Sequence, residues 1–279
     1  MATVTFDFAS DLELFRTEAE GALQFFFAWD ATHAVAADPK VGRLLNQAPL
    51  FWNTSLGALQ SSTLVALGRI FDPDPKNHSV TRLLASAHAD LSIFSKPALA
   101  ARKRKQSVDA DEWLPQYLKT VYEPTSDDFR RLKRHVSVRR KLYEEKYRPL
   151  RHRVFAHRAA SSQAEVADLF AKTNIRELQL MLVFLRRLHE ALWQLYFNGY
   201  RPVLRPARYS VQRMLDAPSP NVKRGTLQER LVHEVSSFLH AHSRVNRTPF
   251  GGRHEATMSV THGRPVRSLA TNREPAVGG

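Results

Sequence analysis

The stretch Arg151-His152-Arg153-Val154-Phe155-Ala156-His157-Arg158 decides how this chain is read. It follows a long basic segment, Phe129 to Tyr147, in which Phe129, Leu132, Val136, Arg139, Tyr143 and Tyr147 recur at helical spacing and give one largely apolar face. Ser126-Asp127-Asp128 opens that helix with acidic groups at the positive end of its dipole. Pro149 removes one backbone donor just before the stretch, which predicts a kink there. Two imidazoles and several guanidinium groups surround the small apolar patch Val154-Phe155-Ala156. An imidazole takes or gives a proton near neutral pH, and a guanidinium grips phosphate oxygens as a permanently charged fork. Those groups suffice to cleave a phosphodiester without a metal. Arg151 and His157 are six apart, about 240° around a regular helix, so one copy of each meets one target only through a bend or a second protomer. Arg153 and His157 lie about 40° apart, an arrangement that also suits a shared carboxylate from a neighbouring helix.

Outward from this stretch the pattern is helical in both directions. Asp11 to Ala37 reads as a helix capped by Ser10 or Asp11, with Phe25-Phe26-Phe27 and Trp29 as core rather than base-stacking platforms, since no strand mounts them. Asp38-Pro39 ends it, and a short piece, Val41–Gln47, leads to Pro49. A second helix runs from about Leu50 to Phe71 and stops at Asp72-Pro73-Asp74-Pro75. His78 to Phe94 is a further helix with Ser79 or Thr81 as cap. The run Arg102-Lys103-Arg104-Lys105 reads as a solvated face or loop, and Asp109 to Pro124 as a connector packed down by Trp113, Tyr117 and Tyr122. Beyond the stretch, Ala159-Ala160-Ser161-Ser162 reads as a loop. Asn174 caps an apolar helix that ends at Asn198-Gly199. Its face, Leu178 to Tyr196, is wider than one bundle contact needs and points to a two-fold dimer.

The expected fold is therefore all-α: a bundle of four to six helices over residues 1–199, and no alternation long enough to build a sheet. Residues 200–243 read as a basic extension with one amphipathic helix, Leu227 to Ala241, and residues 244–279 as a disordered tail. The 279 residues carry a net charge of +14, which favours a polyanionic partner. The charge is localised: residues 199–279 contribute +8, and Phe129–Arg158 holds 12 basic residues against Glu144 and Glu145. There is no cysteine, so disulfide and thiolate-metal chemistry are excluded. His233, His240 and His242 come without carboxylates at ligand spacing. Met1 to Phe8 lacks a basic region before an apolar core, and no apolar run approaches the ~18–20 residues of a membrane span, so a cytoplasmic chain without membrane contact is expected.

Arg151, the polar His152, four further residues and His157 resemble the Arg-polar-x(3–5)-His signature of the HEPN superfamily. The Ala156-His157-Arg158 ending is similar to its abortive-infection, AbiU-type branch. So are Phe51-Trp52 opening a helix and Ala66-Leu67-Gly68-Arg69-Ile70-Phe71-Asp72 closing it. The resemblance covers roughly residues 10–200 and implies a HEPN-like bundle, a homodimer and an endoribonuclease that needs no cofactor and no metal. It implies catalytic roles for Arg151, His152 and His157, and RNA contacts from Arg148, Arg153 and Arg158. It also implies a place in antiphage defence or as a toxin, with no antitoxin or regulator named by the sequence. The other reading is a non-catalytic HEPN module that binds RNA or a protein.

Overall fold

The computed structural model describes residues 7–74, 76–156, 162–205, 210–218 and 225–244. Among them there is no strand. Five helices of 17 residues or more make the bundle, four of them within residues 1–199: α1 (Phe8–Val35), α3 (Pro49–Ile70), α7 (Ser126–Leu142), α9 (Ile175–Asn198) and α11 (Leu227–Ser243). Shorter helices fill the gaps: α2 (Pro39–Asn46), α4 (Val80–Ala89), α5 (Lys96–Gln106), α6 (Ala110–Thr120), α8 (Gln163–Ala171) and α10 (Val211–Asp216). A 3-10 turn, Leu91–Phe94, joins α4 to α5.

The core is built around α1, which packs against α3, α9 and α11. Phe26, Phe27 and Trp29 are buried, as their position on an apolar helix predicts. Asp7, rather than Ser10 or Asp11, caps α1 by accepting from the amides of Ala9 and Ser10. The helix therefore starts three residues earlier than the sequence pattern suggests. Asp38 and Ser79 cap α2 and α4, and Thr125 forms a reciprocal capping box with Asp128 on α7.

Three segments that the sequence reading did not assign as helices are helical. The basic run lies on α5, where two of its members are structural. Arg102 donates to the carbonyls of Ile93 (2.8 Å) and Tyr196 (2.9 Å) and covers the Tyr196 ring, and Lys103 donates to Asn198 Oδ1 at 3.0 Å. The connector is α6, with Trp113 edge-on to Tyr117. Gln163–Ala171 is α8, opened by a Ser162/Glu165 capping box. Gly199 adopts φ 62° to end α9, and a Cβ there would meet Val121 Cγ1 at 2.7 Å and Leu99 Cδ2 at 2.9 Å, so both conformation and space call for glycine.

The wide apolar face of α9 is taken up within the chain. Leu178, Met181, Leu182, Leu185, Leu188, Leu192 and Leu195 are buried, while Leu180 and Trp193 stay exposed. That face therefore gives no separate argument for a dimer. Composition changes at Gly199, but packing continues past it: α11 lies on α1 and α2, Val232 joins the main core, and Leu239 packs with Val35 and Val41. The tail from residue 245 lies outside the described residues.

Asp30 on α1 gives a testable consequence of this packing. Burial raises its carboxyl pKa to about 6. The folded state then binds a proton more readily than the unfolded chain between pH 4 and 6, so stability falls as pH rises through that window. Asp30→Asn is expected to stabilise the protein at pH 8 by up to about 3 kcal/mol and to change little at pH 4. Urea unfolding at the two pH values checks it.

Candidate functional site

At Pro149 the helical hydrogen bonding widens rather than stops. Helix α7 runs on without a break through a π turn (Tyr143–Tyr147), one α turn (Arg148–Leu150) and a second π turn (Arg151–Ala156). A proline lacks the amide hydrogen and its ring crowds the carbonyl four residues back. A widened turn with i→i+5 bonding absorbs both problems and keeps the helix intact. The candidate motif thus begins inside a widened segment of the helix, a setting in which functional residues are often found.

Three buried side chains fix this segment against its neighbours. Tyr143 stacks on Phe71 at the end of α3, with ring centroids 5.4 Å apart and 26° between planes. Tyr147 donates from its hydroxyl to the Asn174 carbonyl at 2.9 Å, tying the segment to the start of α9. Leu150 shares a crevice with Gln60, Thr63 and Leu64 of α3. Tyr143 therefore lies by the C-terminal end of α3 and Leu150 by its middle, so the two helices run antiparallel.

Arg151 reaches back along this contact to α3. Its guanidinium lies directly over Gly68, where a Cβ would stand 1.8 Å from Nη1 and 2.8 Å from Cζ. The Tyr143 hydroxyl borders the same spot, 3.1 Å from that Cβ position. Arg151 Nη2 donates to His152 Nε2 at 3.2 Å. A guanidinium only donates, so a hydrogen bond here has Nε2 as the acceptor. Arg151 Nε and the Tyr143 hydroxyl are buried without hydrogen-bond partners among the described residues. Burial pushes the Tyr143 phenol up, while Arg151 and Arg148 nearby pull it down.

Around this point the surface is basic, but much of its charge is already answered. Arg130 pairs with Asp127, Arg131 with Asp128 (2.7 Å), Arg140 with Glu144 (3.5 Å), and Lys146 with Glu177 (2.7 Å). Arg134, Arg148 and Arg153 are exposed and form no ion pair among the described residues, and Arg151 forms none either. Of the six residues singled out in the sequence, Arg151 and His152 touch, Arg148 flanks Tyr143 beside them, and Arg153 projects into solvent. His157 and Arg158 lie outside the described residues. Gly68 and Tyr143 were not among the six; the first was visible only as part of a motif and the second as one apolar-face position.

His240 approaches Asp38 at 3.5 Å, and His242 contacts the Phe238 carbonyl, so both have local partners. Among the described residues no helix is long and apolar enough to cross a membrane.

The AbiU2 model of HEPN proteins matches residues 7–216, from the cap of α1 to the end of α10, and the chain belongs to this HEPN family. No curated protein and no solved structure matches it.

Proposed function

We propose that the chain is a metal-independent endoribonuclease acting in abortive infection. The observation that carries this reading is the seated guanidinium of Arg151, which is partly buried, paired with no carboxylate among the described residues, and in contact with an imidazole. A cation held in that way favours the extra negative charge of a phosphorane over the single charge of a ground-state phosphodiester, the term that usually contributes most to such catalysis.

In this mechanism His157 removes the proton from the ribose 2′-hydroxyl. The 2′-oxygen attacks phosphorus, the P–O5′ bond breaks, and the departing 5′-oxygen gains a proton from an imidazolium. The products are a 2′,3′-cyclic phosphate and a free 5′-hydroxyl. Arg151 holds the phosphorane oxygens. His152, in contact with Arg151, assists or aligns the reacting group. Arg148 and Arg153 grip flanking phosphates, joined by Arg158. A two-fold dimer brings a second motif into the same basic cleft and supplies a second imidazole, so that one serves as base and the other as acid.

The test is incubation of the purified chain with total RNA in EDTA, followed by analysis of the ends. Cleavage with cyclic phosphate ends supports the reading. Cleavage that requires added divalent metal, or leaves 3′-hydroxyl ends, overturns it. The exposed Arg134, Arg148 and Arg153, without an ion pair among the described residues, also suit a module that binds RNA without cutting it. That reading predicts salt-sensitive binding and intact RNA.

A further inference from the structure

The end of α3 contributes to the site through a residue with no side chain. We infer that Gly68 is a positioning residue for the proposed reaction: its missing Cβ is the slot that seats the Arg151 guanidinium, with Tyr143 as the opposite wall. The inference rests on the ribonuclease reading for its effect on rate, but not for the slot itself.

Three observations carry it. The clearance is far below contact distance, with 1.8 Å between a Cβ at position 68 and Nη1, so no other residue type leaves the guanidinium where it is. Gly68 lies inside α3, fully helical and with ordinary backbone angles, so its φ and ψ do not call for glycine. A helix interior disfavours glycine, and here only the space above it explains the choice. Finally, the slot limits rotation. Nε is enclosed, Nη2 is tied to His152, Nη1 lies on the bare backbone, and the neighbouring Tyr143 is itself held by its stack on Phe71. A long, flexible cation becomes a directed one, which is what a group acting on a transition state requires. The other charges near the slot's Tyr143 wall are Arg148, which lowers its phenol, and Asp72 and Glu144, which raise it.

Gly68→Ala separates this role from packing, because the atom in the way is the end of a mobile side chain rather than backbone. Melting temperature is expected to hold or rise, since alanine favours the helix. Cleavage is expected to fall ~10²-fold in kcat with KM nearly unchanged, to the level of Arg151→Ala. The double variant Gly68→Ala/Arg151→Ala should be no slower than Arg151→Ala alone, because both changes remove one interaction. A second readout does not depend on cleavage. In full-length protein labelled with 15N-arginine, the Arg151 Nε–H resonance, identified by its loss in Arg151→Lys, should exchange slowly with water. In Gly68→Ala it should shift and exchange quickly. An unmoved resonance, a large drop in melting temperature, or a moved resonance with parental kcat each overturns the inference. If the parent protein does not cleave RNA, the ribonuclease reading falls and the resonance alone decides the slot.

Discussion

His157→Ala is expected to slow RNA cleavage ~10²–10⁴-fold, the range for losing a proton-transferring side chain in a rate-limiting step. Arg151→Lys should also lose most of the rate. An ammonium is a point charge, cannot present the guanidinium fork to a phosphorane, and loses the geometry of the contact with His152 Nε2. Both variants should bind RNA about as tightly as the parent, because Arg134, Arg148 and Arg153 remain exposed and available to phosphate. The measurement is a paired one, with cleavage rate and RNA affinity determined in the same buffer for the parent and both variants. Loss of binding in step with loss of cleavage would assign the stretch to affinity and count against the chemical roles.

Phe27→Ala should cost about 3–5 kcal/mol of stability, the range for removing a large aromatic ring from a closed core. Phe27 has no exposed surface, packs edge-on to Phe26 at 5.3 Å, and belongs to the helix around which the core is built. Urea unfolding gives the value directly. The competing idea, that the Phe25-Phe26-Phe27 run stacks nucleic acid bases, predicts unchanged stability and weakened RNA binding.

The parts of the fold legible in the sequence were those written in local chemistry. Asn174 before an apolar repeat, Gly199 after it, and the double Asp-Pro beyond Phe71 each mark an end by a mechanism confined to a few residues. Helix α8 carried an equally local mark, Ser162-x-x-Glu165, but Ser162 was read as the end of a loop and the nine residues after it were left unassigned. The basic run on α5 misled for a different reason. Four adjacent cations look solvated, yet Arg102 is anchored by two carbonyls, one of them on α9 and far off in sequence. The width of the α9 face invited a partner chain because the number of helices that would cover it within the monomer was not visible in its own pattern. At the site, the residue types at 151 and 152 were legible, but their contact was not. It depends on two wide turns that no simple periodicity announces, and on a glycine about eighty positions earlier.

The two π turns carry a consequence for insertions and deletions. Each wide turn holds about one residue more than an α turn needs, so removing one residue from Tyr143–Tyr147 would let the helix close into its more regular form. Because the wide turn has already absorbed that residue, everything beyond the cut would keep its facing, and Arg151 would still meet the bare backbone opposite. The same deletion from the regular part of α7 would instead swing everything beyond it by about 100° and slide it by about 1.5 Å relative to α3. In this segment the wide turn works as a buffer: it takes up a change in chain length that an ordinary helix would pass on to its cation.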